Sequence, residues 1–179
     1  MNKTVLIFFI IALSFLGLNS LFTMDERQQG LVLQFGEPKR VIQTSGLHFK
    51  LPLIQNVVRY DVRILEYDLP IEEVIAVDKK RMLIDSFTRF KITDPLEFYK
   101  TVGTESSVRN RLNSNVISSL RRVVGRVTLE ELLSEERSNI MENIKVEVNN
   151  EASRFGIEVV DVRIRRADLP EANSQAIYE

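Results

Sequence analysis

The chain has 179 residues, with 24 basic and 25 acidic side chains, one histidine, no cysteine and a net charge of −1. This charge balance argues against a nucleic-acid-binding protein, which needs a net basic surface to neutralise phosphates. The lack of cysteine excludes disulfides and thiolate chemistry, so packing alone must stabilise the fold.

An uncharged apolar segment runs from Val5 to Phe22. As a helix rising ~1.5 Å per residue it would reach about 27 Å, close to the ~30 Å thickness of a bilayer core. We therefore predict a single transmembrane anchor over residues 5–22, after a short tail of residues 1–4. Its membrane contact is assigned to 13 apolar side chains: Val5, Leu6, Ile7, Phe8, Phe9, Ile10, Ile11, Leu13, Phe15, Leu16, Leu18, Leu21 and Phe22.

A cleaved secretory signal is the alternative interpretation of this segment. The segment is longer than the usual h-region of ~7–15 residues, and no small-x-small cleavage site follows it, which favours an uncleaved anchor. Lys3 precedes the span and Asp25, Glu26 and Arg27 follow it. We expect the N-terminus in the cytoplasm and the body of the protein on the other side of the membrane.

The first half of the body has the pattern of β-structure. One strand is predicted to end at Gly36, with a turn at Glu37 and Pro38, and a second extended stretch runs from Gly46 to Val62. Apolar and polar residues alternate from Leu47 onward, which predicts a strand with His48 and Lys50 on its wetter side. Val74 to Ile92 read as a hairpin with a charged turn, Asp78 to Arg81, for which solvation and lipid-headgroup contact are the two interpretations.

The second half changes to helical periodicity. A short helix is predicted over Leu96 to Tyr99 and a longer one from Glu105 to Val124. Thr128 and Glu131 have the spacing of a capping box, and the helix that they begin is expected to continue to Gly156.

A closing strand follows Gly156, with Val160, Val162 and Ile164 on one face. Beyond Pro170 the sequence reads as the start of another helix, over residues 171–179. The predicted fold class is α+β: the anchor, a domain over residues 23–170 that is β-rich at first and then contains helices and a closing strand, and the beginning of a C-terminal helix.

Several segments together resemble the SPFH, or band 7, superfamily of stomatins, prohibitins, flotillins and bacterial HflK and HflC proteins, and within it the HflC branch most. These segments are GLVLQFGEP, SGLHFKLPLIQNV, FTRFKITDPLEFY and GIEVVDVRIRRADLP followed by AIYE, and the resemblance covers the chain from about Val5 to Glu179.

The resemblance implies a single-pass protein of the bacterial inner membrane with a periplasmic SPFH domain and a long C-terminal coiled coil. It also implies a hetero-oligomeric scaffold, built with an HflK-like homologous subunit, that regulates an FtsH-like ATP-dependent protease. The expected partners are these two proteins and the lipid bilayer, with no nucleic acid and no cofactor. The alternative within the superfamily is a stomatin-like or prohibitin-like protein that organises membranes without a protease partner.

The residues give little support to an enzyme. His48 is the only histidine, so a triad with Ser45 in a membrane-tethered hydrolase is the one arrangement left to consider, and no nucleophile-elbow or phosphate-loop motif accompanies it. We predict no catalytic, cofactor-binding or metal-binding residues.

Overall fold

The computed structural model describes Ile7, Ser14, residues 17–134 and residues 136–169. It divides the chain into two compact units, Met1–Val62 and Arg63–Glu179, which we call the N-terminal and C-terminal units. The predicted C-terminal helix over residues 171–179 lies outside the described residues.

The N-terminal unit is built from antiparallel strands. The strands are β1 (Leu21–Met24), β2 (Gln28–Gln34), β3 (Glu37–Ile42), β4 (Gly46–Phe49) and β5 (Gln55–Asp61). Strand β2 is the centre of a three-stranded sheet with the order β3-β2-β5, and β1 pairs with β4 in a two-stranded ribbon. The core of this unit contains Phe22, Met24, Val32 and Ile42, with Val57 packed against them.

The C-terminal unit is an antiparallel sheet packed against helices. The elements are β6 (Leu65–Asp68), β7 (Glu72–Ile75), β8 (Arg81–Ile92), α1 (Pro95–Thr101), α2 (Glu105–Val124), α3 (Leu129–Leu133), α4 (Arg137–Ala152), a 3-10 turn (Ser153–Phe155) and β9 (Ile157–Asp168). The long strand β8 pairs with β6 and β7 and, along most of its length, with β9.

Period-two alternation in β8 and four-residue spacing in the helices create this core. The side chains of Ile84, Ser86, Thr88, Phe90 and Ile92 share one face of β8, and all five are buried. The apolar stripes of α2 and α4 are buried as well: Val108, Leu112, Val116, Leu120, Val124, Ile140, Ile144 and Val148. The bounds of α2 and the hairpin of β7 and β8 are also confirmed.

The helix predicted to run from Thr128 to Gly156 is interrupted. The capping box of Thr128 and Glu131 is present, but α3 ends at Ser134, whose backbone is extended. The Ser134 hydroxyl donates to the carbonyl of Glu131 at 2.8 Å and accepts from the amide of Glu136 at 3.2 Å. Such local side-chain bonds compete with the helical backbone, so a second helix, α4, begins at Arg137.

Two other predictions about strands are wrong. The turn after β2 is formed by Phe35 and Gly36, both at positive φ, and Glu37 already pairs with Gln34 in the hairpin. In β9, Val160 does not share a face with Val162, because a bulge opposite Arg89 and Phe90 shifts the alternation. The side chains that enter the core are Ile157, Val159, Val162 and Ile164.

Candidate functional site

The predicted anchor is only partly covered by the structure. Residues 17–20 are helical, whereas Leu21 and Phe22, the last two predicted membrane-contacting residues, belong to strand β1 instead of a helix. Phe22 is a core residue, and Leu18 is exposed. None of the helices in the part of the chain that the structure describes combines the length and the apolar character needed to cross a bilayer.

The anchor predictions at Val5, Leu6, Phe8, Phe9, Ile10, Ile11, Leu13, Phe15 and Leu16 fall outside the described residues.

The chain that leaves this N-terminal segment is fixed to strand β4. The Ser20 hydroxyl donates to the carbonyl of Lys50 at 2.6 Å, and the Lys50 amide donates to the carbonyl of Ser20 at 2.8 Å. Leu21 lies opposite Phe49 in the ribbon, and Phe22 lies opposite His48. The helical residues 17–20 are therefore joined directly to the ribbon.

The ribbon buries the face that the sequence predicted to be wet. Phe22 and Met24 fill the core, and the ring of His48, across the ribbon from Phe22, lies 5.8 Å from the Phe22 ring. The apolar residues of β4 consequently point outward: Leu47 is 65% exposed and Phe49 54%. The alternation of β4 was read correctly, but the assignment of its two faces was wrong, because β1 decides which face is covered.

Two loop tips add further exposed apolar side chains. Phe35 and Leu53 are 83% and 94% exposed, and both have a positive φ, of 52° and 69°. The Phe35 amide donates to the carbonyl of Ile54 at 3.5 Å, which brings the two loops together. An open groove of about 400 Å³ lies between them, lined by Leu33, Phe35, Leu53 and Ile54 among others.

These side chains form what we call the apolar surface of the N-terminal unit. The segment from Leu47 to Ile54 connects the ribbon to the loop tips, and the Gln55 amide and the carbonyl of Leu51 close the turn that carries Leu53 with a 2.9 Å bond. Its members are Leu21, Phe35, Leu47, Phe49, Leu51, Leu53 and Ile54, all at least 41% exposed. Large exposed apolar patches are typical of surfaces that bind a membrane or another protein.

A basic side chain borders the apolar surface. The guanidinium of Arg40 donates to the backbone carbonyl of Phe49 at 2.5 Å, which places it at the outer end of strand β4. The sequence of the N-terminal unit contains six basic and four acidic residues, although the whole chain is slightly acidic. The charge of this unit is therefore opposite in sign to that of the rest of the chain.

The exposed face of the C-terminal sheet has a different character. Arg165 lies 2.6 Å from Asp68 and 3.6 Å from Asp85, and Arg89 lies 2.9 Å from Glu66. The guanidinium groups of Arg89 and Arg165 lie 5.4 and 5.2 Å from the centre of the Phe87 ring. The hydrogen bond that Arg165 donates to the carboxylate of Asp68 raises the pKa of Arg165 above its ordinary value. This face is a network of exposed ion pairs, each of which contributes little to stability.

The charged turn of the hairpin is also solvated. Lys80 lies 3.2 Å from Asp78, and the basic side chain is half exposed. Desolvation opposes ionisation of Asp78, but hydrogen bonds to Lys80 and its charge outweigh it, so the pKa of Asp78 lies below its ordinary value.

The backbone holds the imidazole of His48. Its Nε2 atom lies 2.8 Å from the carbonyl oxygen of Thr44, and a carbonyl can only accept, so Nε2 donates its hydrogen there. Nδ1 is then the ring nitrogen that can accept a proton. Among the described residues, no group of three or more acidic or histidine side chains has the geometry to hold a metal ion.

The sequence pattern does not reveal the two most exposed large apolar side chains of the described residues, Phe35 and Leu53. The pattern predicts a strand at Phe35 and an extended stretch at Leu53, and it marks neither as a contact residue. A signal was present, since the Phe-Gly dipeptide sits between two strand patterns, where a two-residue turn requires positive φ. No local pattern announces the positive φ of Leu53.

The order of elements, a β-rich unit followed by an antiparallel sheet packed with helices, defines an α+β module with an apolar contact surface in its first unit. The family model described as SPFH domain / Band 7 family matches residues 22–179, and the chain belongs to this family.

Its relatives include Protein HflC of Haemophilus influenzae, 32% identical over 90% of this chain and 58% of the relative. Protein HflC of Buchnera aphidicola subsp. Schizaphis graminum is 30% identical, over 99% of this chain and 65% of the relative. The protein named Modulator of FtsH protease HflC in Escherichia coli K12 is 26% identical, over 99% of this chain and 67% of the relative. The chain thus spans about three fifths to two thirds of the length of these relatives.

Proposed function

We propose that this chain is a membrane-anchored scaffold subunit that regulates an FtsH-type ATP-dependent membrane protease by controlling which substrates reach it. The observation that carries this proposal is the similarity of 99% of the chain to a relative named as a modulator of FtsH protease. In this proposal the chain regulates a protease and is not one itself.

The apolar surface supports a location at the membrane. Fully burying one Leu or Phe side chain is worth about 1.5–3 kcal/mol, so leaving seven large apolar residues in water has a substantial cost. A bilayer beside the N-terminal unit removes that cost. The double hydrogen bond between Ser20 and Lys50 keeps the surface next to the end of the proposed anchor.

The partners in this proposal are an HflK-like homologous subunit and the FtsH-type protease, with which the chain forms a hetero-oligomer in the bacterial inner membrane. The anchor spans the bilayer once with the N-terminus in the cytoplasm, so both units lie in the periplasm. They are then positioned to sort membrane substrates on that side.

Chemical crosslinking in intact membranes followed by affinity purification of the full chain tests the proposal. We expect to recover the FtsH-type protease and the homologous subunit. Recovery of the chain with lipid but with neither protein would contradict the scaffold function and favour a membrane-organising protein instead. The variant His48→Ala separates both from a hydrolase, because a scaffold retains its partners and a hydrolase loses turnover.

A further inference from the structure

The loop tips of the N-terminal unit carry bulky apolar residues in a backbone conformation that such residues rarely adopt. A left-handed backbone costs an ordinary residue roughly 1–2 kcal/mol, and glycine adopts it freely. Phe35 and Leu53 both adopt it, and they are 83% and 94% exposed. Their side chains therefore contribute almost nothing to the core, and folding alone does not explain why large apolar groups stand there.

Three observations bear on what covers these tips. Leu21 of the apolar surface directly follows the helical residues 17–20 and lies opposite Phe49. Residues 23–62, which follow the proposed anchor, carry five basic and four acidic side chains, although the whole chain is slightly acidic. The guanidinium of Arg40 is held against the carbonyl of Phe49, at the edge of the exposed apolar side chains. Apolar side chains bordered by basic ones are typical of proteins that lie in the interface of an anionic bilayer.

We propose that Phe35 and Leu53 enter the interfacial layer of the bilayer and that Arg40 contacts the phosphates of anionic lipid headgroups, so that the N-terminal unit prefers anionic membrane. Arginine has five N–H donors, and the bond to Phe49 occupies one of them. The inference rests on the membrane location proposed above, and it assigns a lipid chemistry to that location.

The sequence allows a direct test because it contains no tryptophan. The full chain would be reconstituted into phosphatidylcholine vesicles containing phosphatidylglycerol, with tryptophan introduced by Phe35→Trp or by Leu53→Trp. Lipids brominated on the acyl chains quench only fluorophores that contact those chains. The matched control is Leu133→Trp in the C-terminal unit, where the native side chain is 61% exposed.

We expect strong quenching at positions 35 and 53 and little at position 133. If quenching at positions 35 and 53 is no stronger than at position 133, the loop tips do not enter the bilayer. That result would overturn the proposal, and the tips would then face water or be covered by a protein in the cell. Far-UV circular dichroism of each variant establishes that it is folded. The measurement contains no protease, so its failure is distinguishable from failure of the regulatory function.

The headgroup contact is tested in the same vesicles with and without phosphatidylglycerol. One basic residue near an anionic surface is worth ~1 kcal/mol, so Arg40→Gln should reduce the inserted-to-free ratio about fivefold in anionic vesicles. Lys39→Gln is the control, since it removes the same charge from the same strand but from a side chain paired with Glu37 at 3.0 Å. Equal reductions by both variants, or none by Arg40→Gln, would overturn the assignment of Arg40.

Discussion

Gly156 connects the helices of the C-terminal unit to strand β9 at a point that has no room for a side chain. Its φ is +70°, and its carbonyl accepts from the amides of Thr93 and Asp94 at 2.9 and 3.1 Å. A Cβ atom at this position would lie 2.3 Å from the carbonyl oxygen of Asp94 and 2.9 Å from the amide nitrogen of Phe98. Both contacts are with backbone, so relief requires movement of the chain.

The substitution Gly156→Ala should therefore destabilise the C-terminal unit through two effects. The left-handed backbone costs about 1–2 kcal/mol with a Cβ present, and overpacking against rigid neighbours adds about 1–3 kcal/mol. The matched control is Gly103→Ala, where φ is +76° but the nearest atom, the Tyr99 carbonyl oxygen, lies at an ordinary 3.7 Å. The control should lose only the ~1–2 kcal/mol of stability that the left-handed backbone costs. Both substitutions reduce the conformational entropy of the unfolded chain equally, so this contribution cancels in the comparison.

Urea unfolding of the purified full chain, followed by far-UV circular dichroism, measures the difference. With a slope of about 2 kcal/mol per molar urea, Gly156→Ala should unfold at a midpoint about 0.5–1.5 M below that of Gly103→Ala. If the two variants lose free energies of unfolding that agree within about 0.5 kcal/mol, the backbone around Gly156 accommodates the Cβ atom without cost and the steric contacts do not destabilise the protein.

Three further experiments test particular contacts. Thr128→Ala should cost about 1 kcal/mol in urea unfolding, since it removes the hydroxyl of the capping box. Val159→Ala should cost about 2 kcal/mol and Val160→Ala under 1, because only Val159 is fully in the core, and equal losses would contradict the bulge. Arg165→Ala should lower the urea midpoint more than Arg166→Ala, because Arg165 lies 2.6 Å from Asp68 whereas Arg166 lies 3.6 Å from Asp168, although both losses should be small.

The helical half of the C-terminal unit could be predicted well from the sequence because each signal is local. The apolar residues of α2 recur every four positions, and its bounds agree with the prediction. The break at Ser134 was missed because it depends on a serine hydroxyl that bonds to neighbouring backbone, which periodicity does not record.

The strands could be predicted less well, because their partners decide which face is buried. In β4 the alternation was correct, but Phe22 and Met24 of β1 made the side of His48 the inner one. In β9 the bulge at Val160 arises from pairing with β8, far away in the sequence. The apolar surface was missed for the same reason, since Leu47 and Phe49 read as core residues until the ribbon is known.

Control by this chain of the access of membrane substrates to an FtsH-type protease, as proposed above, can be measured by reconstitution. The protease, a membrane-embedded substrate and a soluble substrate would be followed in proteoliposomes with and without the full chain and its homologous subunit. If the chain controls access, we expect the degradation rate of the membrane substrate to change and that of the soluble substrate to stay the same. Unchanged degradation of the membrane substrate, with all components in the same bilayer, would contradict it.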